Sequence, residues 1–391
     1  MVVRLTTAGE SHGPGLTAIV EGLPAGLQLR KEEIDADLAR RQLGHGRGGR
    51  MKIERDAAVV TGGVRHGRTL GGPIALQVAN RDYANWEERM SPWPVSDPTH
   101  PVPEVHLPRP GHADLVGTWK YKQSDVRNIL ERASARETAA RVAGGALAKA
   151  FLRALGVEVR SHVVQIASVR APARERALTV ADFAAVDDSP VRCLDAETAR
   201  AMVGEIDALR KANESLGGVF EVIAFGVTPG LGSHVSWEER LDGRLAMAIL
   251  SIQALKGVAI GEGFEVAGVP GSQAHDEIFH SSERGYHRET NRAGGLEGGM
   301  TTGEPLIVRG AMKPLPTLTK PLRSVDIATR QPAQALRERT DSCTVPAAGV
   351  VGEAMVALVL ADAYRRKFGG DHIDDVREAV RAYEERIDWR R

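Results

Sequence analysis

The residues from Arg109 to Gly145, RPGHADLVGTWKYKQSDVRNILERASARETAARVAGG, hold the densest collection of side chains able to move protons or grip anions. Arg-Pro-Gly-His-Ala-Asp is a turn signal that presents His112 between Arg109 and Asp114. Histidine is the side chain whose charge changes near neutral pH, which makes this turn a candidate acid–base site. A small-residue helix is expected to follow, with Arg132, Ser134, Arg136 and Glu137 at its start. First-turn amides lack intrahelical partners, so cations and a hydroxyl gathered there suit an anion. A charged helix start beside a polar turn fits the same residues.

Other groups extend the list. His12, in GESHG, lies like His112 in a glycine-flanked turn rather than on an apolar face, and two such histidines point to general acid–base work. Arg40, Arg41, Arg47, Arg50, Lys52 and Arg55 stand against only Glu54 around a glycine loop, GHGRGG. Glycines let backbone approach an anion, and arginine grips carboxylate or phosphate in a fork. The loop formally fits G-x-G-x-x-G, but a helix precedes it and a strand is expected after it, the reverse of a dinucleotide-binding unit. No aromatic residues interleave the cluster, which weakens a nucleic-acid groove. A second glycine loop, NRAGGLEGGMTTGEP, suits a flat ring or a phosphate against bare backbone, and RERTDSCTVP sets Arg337, Arg339 and Asp341 before the last long apolar helix. Neither H-x-x-x-H nor a Cys/His ligand set occurs, so no metal is expected.

These groups need a scaffold, and 391 residues can bury a substantial core in one large or two medium domains. The 51 basic and 51 acidic side chains cancel, so no global field favours nucleic acid or a membrane surface. Cys193 and Cys343 are too few for a disulfide framework and fit a reducing cytoplasm. The N-terminal residues lack an apolar signal core, and Glu353 and Asp362 interrupt the most apolar helix, so neither export nor a membrane span is expected.

Residues 3–13 read as a strand delivering Glu10, Ser11 and His12 into a turn. A second strand in LTAIVEGLPAGLQL, an amphipathic helix over Lys31 to Leu43, and strands near 57–61 and 73–78 follow. Residues 80–108 are a Pro- and Trp-rich excursion suited to a lid. The helix of the opening stretch is expected to run to about Leu155, then a strand in GVEVRSHVVQIASVR, then a peripheral helical insertion over 171–217. From Gly218 three earlier segments recur in order: VFEVIAFGVTPGLG echoes LTAIVEGLPAGLQL, TTGEPLIVRGAMK echoes TLGGPIALQVANR, and PAAGVVGEAMVALVLADAYRRKFGG echoes ETAARVAGGALAKAFLRALG. This order predicts a duplicated unit over about 3–160 and 218–370, with helices packed on sheets, and a charged C-terminal helix over 371–391 with a solvated face. Chance likeness among Gly/Ala/Val-rich segments is the alternative.

With GESHG, GHGRGGRM, RPGHAD, RASARETAARV, NRAGGLEGGM and RTDSCTVPAAG in this order, the chain resembles the chorismate synthases from Thr7 to about Gly370. The resemblance implies a single α+β domain over 1–391, a β-α-β sandwich with internal pseudo-twofold duplication, assembled as a cytoplasmic homotetramer. It implies a carbon–oxygen lyase of the shikimate pathway to aromatic amino acids. Such an enzyme turns 5-enolpyruvylshikimate-3-phosphate into chorismate and phosphate by anti-1,4-elimination. Reduced FMN is required although no net redox change occurs.

Carried over by position, His12 matches an acid near the departing phosphate, His112 a residue against the reduced flavin, and Asp341 a carboxylate that helps take up the C6 proton. Ser11, Arg41, Arg47, Arg50, Arg136 and Arg339 resemble contacts to the substrate's anionic groups, and Arg41 and Arg47 also positions assigned to NADPH. Arg132, Ala133, Ser134, Gln253, Ala254, Gly298, Lys313, Pro314, Leu315, Pro316, Thr317 and Arg339 resemble FMN contacts. Ala133 stands where many members have Ser, and His45 where many have Tyr. A substrate with three anionic groups explains the arginines, whose crowding is expected to be tolerable only when the anion neutralises them. A flavin or NADPH oxidoreductase and a non-catalytic phosphate- or nucleic-acid-binding module are the competing classes at this point.

Overall fold

Apolar segments, alternating where one face is open and continuous where both are covered, build two antiparallel sheets, and a computed structural model describes them within residues 2–48, 54–95, 102–174, 176–338 and 340–389. The first contains β1 (Arg4–Ala8), β2 (Gly15–Glu21), β3 (Ala58–Gly62) and β4 (Ile74–Ala79) in the order β1-β2-β4-β3. Leu16, Ala18 and Val20 of β2 and Ile74, Leu76 and Val78 of β4 are buried, and their alternate neighbours are more exposed. The second contains β5 (Glu158–Ile166), β6 (Val169–Arg170), β7 (Gly218–Phe225), β8 (Leu255–Ile260) and β9 (Leu306–Met312) in the order β8-β9-β7-β5-β6.

The main helices are α1 (Lys31–Gln42), α2 (Asp114–Tyr121), α3 (Arg127–Ala133), α4 (Thr138–Arg153), α5 (Ala196–Lys211), α6 (Leu241–Leu250), α7 (Val345–Phe368) and α8 (Ile373–Ile387). Helix α4 packs on β2 and β4, α7 packs on β5 and β7, and the two helices pack on each other between the sheets. That central position explains their small-residue sequences. A Cβ on Gly145 of α4 would lie 2.3 Å from Cβ of Ala354 in α7, so the helices approach more closely than any side chain there allows. The length and apolarity of α7 would suffice to cross a membrane, but the helix is buried in this core.

The run β1, β2, α1, β3, β4, α4 matches β5, β7, α6, β8, β9, α7 in chain order. The strands also occupy the same sheet order, β1-β2-β4-β3 against β5-β7-β9-β8. The echoed segments noted in the sequence fall on β2 and β7, β4 and β9, and α4 and α7.

Three expectations need correction. The helix of the opening stretch is not continuous: α3 ends at Ala133, Ser134 is extended (φ −64°, ψ 143°), and a single 3-10 turn over Ala135–Glu137 leads into α4. Arg132 therefore closes one helix instead of opening the next. The 171–217 segment is built in, not peripheral: Phe183 and Val186 cover the outer face of β7 at Ile223 and Phe225, while Val191, Met202 and Ile206 join the main core. Helix α8 is only half solvated, since Ile373, Val376 and Val380 are buried.

Charges tie the layers together. Glu353 of α7 is fully buried and accepts from Arg40 Nη2 (2.7 Å), Lys149 Nζ (2.8 Å), Ser161 Oγ (2.7 Å) and Arg192 Nη2 (3.3 Å). Burial alone raises its pKa, but Arg40, Lys149 and Arg192 hold it well below the usual carboxylate range. Asp37 and Asp187 balance the same cations.

Candidate active site

The GESHG turn follows β1 and is pinned from three directions. Asn80, at the end of β4, donates through Nδ2 to the carbonyls of Glu10 (3.0 Å) and Gly13 (2.7 Å) and accepts from Arg136 Nε (2.8 Å). Ser11 and His12 donate backbone amides to the Glu131 carbonyl and carboxylate, both at 3.0 Å. The His12 ring places Nδ1 2.8 Å from Glu131 Oε2. Glu131 is buried, which raises its pKa, but the His12 hydrogen bond and the charges of His12 and Arg127 lower it overall. An ionised Glu131 accepts a hydrogen bond from Nδ1–H, so proton exchange at His12 falls to Nε2.

The RPGHAD turn repeats this arrangement. His112 Nδ1 lies 2.5 Å from Asp114 Oδ1, and Asp114 Oδ2 accepts from the Arg109 amide and Nε, both at 2.9 Å. Asp114 has no exposed surface. Burial pushes its carboxyl up, and the His112 and Arg109 contacts overcome that, holding it at about 2. The carboxylate therefore fixes the Nδ1–H tautomer of His112, and Nε2 makes no hydrogen bond among the described residues. Arg109 Nη1 also donates to Thr317 Oγ1 (3.1 Å) and Glu338 Oε2 (3.0 Å), which ties the turn to the second half of the chain.

The residues expected to hold a flavin run between these turns. Lys313 donates its Nζ to the Gly111 carbonyl (2.5 Å) and its amide to Ala254 O (3.0 Å). Burial, with the charge of Lys256, lowers its pKa. Pro316 lies beside Gly111, the Leu315 carbonyl accepts from Ser215 (2.7 Å), and Pro314 abuts Gly217. Ala254 takes a left-handed conformation (φ +67°), a strained geometry for a residue with a Cβ and frequent at functional sites. Gln253 Nε2 donates to Glu137 Oε2 (3.1 Å), which also fixes the amide's orientation. Its Oε1 is buried and has no partner among the described residues. Glu137 Oε1 accepts from Thr7 (2.7 Å), and Thr7 accepts from Arg132 Nη2 (2.8 Å). Ala133 is half-buried beside Ser134, whose hydroxyl donates to Ser11 (3.2 Å).

Asp341 completes the group. Its Oδ1 accepts the Gly48 amide (2.5 Å), and its Oδ2 pairs with Arg47 Nη1 (3.1 Å). Arg41 and Arg136 converge on Asp56, Arg136 through two 2.7 Å contacts and Arg41 at 3.3 Å. Burial, with Arg136 and Arg47 nearby, lowers the Arg41 pKa to about 9 despite Asp56. Asp56 and Asp341 thus offset part of the positive charge of Arg41, Arg136 and Arg47 within the chain.

Gly298 makes no contact with Gln253 or Ala254 among the described residues. It sits in a hairpin turn whose neighbour Gly299 accepts the Leu241 amide at the start of α6, whereas Gln253 and Ala254 lie past its end. A ten-residue helix separates the two places by about 15 Å. Arg50 and Arg339 lie outside the described residues. His45 is an exposed-side partner of Asp207 (2.7 Å), away from Arg47 in its bonding. Glu131, Asp56, Asn80 and Trp86 were not singled out from sequence. The first three pair with groups far along the chain, and Trp86 stacks on His12 from the 80–108 excursion.

Two carboxylate-held histidines, a third carboxylate and several arginines form a set of groups suited to acid–base chemistry on an anion. The sequence profile of the family described as chorismate synthase matches residues 3–364. The chorismate synthase of Rubrobacter xylanophilus is 56% identical over 98% of this chain and 96% of its own length. That of Brevibacillus brevis is 56% identical over 97% and 98%. A crystal structure of a chorismate synthase superposes with a TM-score of 0.77 at 43% identity, covering 99% of this chain and 98% of the other. The chain belongs to the chorismate synthase family and is a lyase of aromatic amino acid biosynthesis.

Proposed function

We propose that the chain performs the anti-1,4-elimination of phosphate from 5-enolpyruvylshikimate-3-phosphate with His12, His112 and Asp341 as its proton-handling groups and reduced FMN as cofactor. The observation that carries this reading is the paired construction of the two turns, each histidine held at Nδ1 by an ionised, buried carboxylate.

The donor set fits the cofactor. A flavin mononucleotide carries a phosphate, hydroxyls, carbonyls and an N–H. Arg132, Ser134, Lys313 and Thr317 supply cations and hydroxyls, and the orphaned Gln253 Oε1 is an acceptor for an N–H. The chemistry supplied by a bound reduced FMN is transient relief of the electron deficiency left by the allylic phosphate, with the charge returned afterwards. His12, as imidazolium, gives its Nε2 proton to the leaving phosphate. His112 holds or moves a proton at Nε2 on the cofactor side. Asp341 receives the ring proton, and Arg47 beside it steers a substrate carboxylate or phosphate. Ser11 lines the turn between them, and Arg41 and Arg136 supply a fixed positive field from behind Asp56. Arg50, Arg339 and the Gly298 hairpin complete the assignment by resemblance.

NADPH as reductant near Arg47, a homotetramer, and a cytoplasmic setting belong to the same reading. Two buried free cysteines suit a reducing compartment, and exposed Val235, Trp237, Met247 and Phe264 suit contact between copies. The matched strand orders support one pseudo-twofold sandwich, built by duplication and acting as a single domain. His112→Ala tests the assignment: FMN binding is expected to persist while turnover falls by roughly 10²-fold or more, the usual scale for an acid–base group. Wild-type turnover in that variant removes His112 from the mechanism.

A further inference from the structure

The Trp86 indole lies on the His12 imidazole with ring centroids 3.9 Å apart and planes 22° from parallel, yet neither motif nor resemblance assigned it a role. Its own placement is specified. Nε1 donates to Asp82 Oδ2 (3.3 Å), and Asp82 is buried and bonded to Asn85 (2.9 Å). The guanidinium carbon of Arg127 sits 5.0 Å from the indole centroid, and that of Arg89 5.6 Å. Arg127 Nη1 also donates to Glu131 Oε1 (2.7 Å), and Glu131 holds His12. Four side chains thus close a circuit: Trp86 on His12, His12 to Glu131, Glu131 to Arg127, Arg127 on Trp86. Behind it, the Arg81 amide donates to Glu54 (3.0 Å) and Asn80 grips the histidine turn, so the 81–90 segment is strapped to the turn it covers.

We propose that Trp86 is a positioning residue for His12, its indole fixing the plane of the imidazole so that Nε2 meets the leaving phosphate in one direction. The proposal rests on the reading of His12 as the acid. The Nδ1 contacts to Glu131 Oε2 (2.8 Å) and Oε1 (3.1 Å) hold one edge of the ring, and the stacked indole holds its plane. Orientation errors of this kind cost up to about 10²-fold in rate even when every group is present. Among the described residues Glu131 touches His12, Arg127 reaches it through Glu131, Asp82 and Arg89 contact the indole, and none of them is a flat surface.

The test combines Trp86→Ala, Trp86→Leu and Trp86→Phe with His12→Ala, each in the full chain under anaerobic conditions with reduced FMN and the phosphorylated enolpyruvyl substrate. Trp86→Ala and Trp86→Leu are expected to lower kcat at least about 10-fold with KM changed less than about threefold, and Trp86→Phe to recover most of the loss. In the His12→Ala background, Trp86→Ala should cost nothing further, because it acts only through that ring. An equal loss in both backgrounds overturns the proposal. Tryptophan emission supplies a readout independent of activity, since a protonated imidazole quenches a stacked indole. The wild type should lose emission in acid through a component absent from both His12→Ala and Trp86→Phe. If that component persists in both variants, Trp86 is not held on His12, whatever the activity. If it behaves as expected but the wild type makes no chorismate, the reading of His12 as the acid fails instead.

Discussion

Asp114→Asn removes one charge and almost no volume from the His112 turn, and the geometry sets the consequences for both stability and catalysis. The wild-type carboxyl is fully buried, with a pKa near 2 in place of 3.8. That difference corresponds to roughly 2 kcal/mol of folding stability. Because the folded pKa is depressed, the contribution is complete above the unfolded pKa and disappears as pH falls through the folded one. The stability gap between wild type and variant should therefore be roughly 2 kcal/mol at pH 6 and about half that at pH 3.

The tautomer argument is sharper. Oδ2 accepts the two 2.9 Å donors from Arg109, whereas Oδ1 faces His112 Nδ1 at 2.5 Å and takes only a longer Arg109 Nη2 contact (3.3 Å). An asparagine satisfies Arg109 only by putting its oxygen at the Oδ2 position, which turns its amide N–H₂ toward Nδ1. His112 is then forced into the Nε2–H form, with the wrong nitrogen protonated at the cofactor side. Turnover should drop by about 10²- to 10⁴-fold, while FMN affinity moves only a few-fold. Urea unfolding at the two pH values and anaerobic turnover measure both effects. A gap that does not shrink in acid refutes the charge argument, and a kcat within threefold of wild type refutes the tautomer argument.

Arg47→Ala should weaken substrate binding by about 10- to 100-fold, the worth of a charge-assisted contact, and flavin binding far less. Separate titrations of each ligand check this, and equal losses move Arg47 out of the substrate site. Glu353→Ala leaves Arg40, Lys149 and Arg192 in the core with only Asp37 and Asp187 as carboxylate partners among the described residues and should cost about 3–5 kcal/mol in urea unfolding. A cost below about 1 kcal/mol would mean that water or rearrangement already serves those cations.

What could be read from the chain alone was what is local. The alternation in β2 and β4 is visible because one face meets the helices, and the order of echoed segments follows the strand order of both sheets. His112 between Arg109 and Asp114 is legible because all three lie within six residues. Glu131 is 119 residues from His12, and nothing in NILERA distinguishes it from a routine helix glutamate. The break at Ser134 is hidden in the sequence because its alanine-rich neighbours favour helix throughout. There the serine hydroxyl accepts the Arg136 amide (3.3 Å), starting a new turn. The 171–217 segment reads as peripheral because it is rich in Ala, Asp and Glu. Its Arg192 is 1% exposed because Glu353 waits for it inside, a pairing no local pattern announces.

The account stands most directly on a turnover stoichiometry: anaerobic protein, reduced FMN, the phosphorylated enolpyruvyl substrate, and simultaneous measurement of phosphate, chorismate and flavin oxidation state. Equal amounts of chorismate and phosphate over many turnovers, with the flavin still reduced and no NADPH consumed, is the predicted result. One flavin or NADPH oxidised for each phosphate released would contradict it and make the chain a net oxidoreductase.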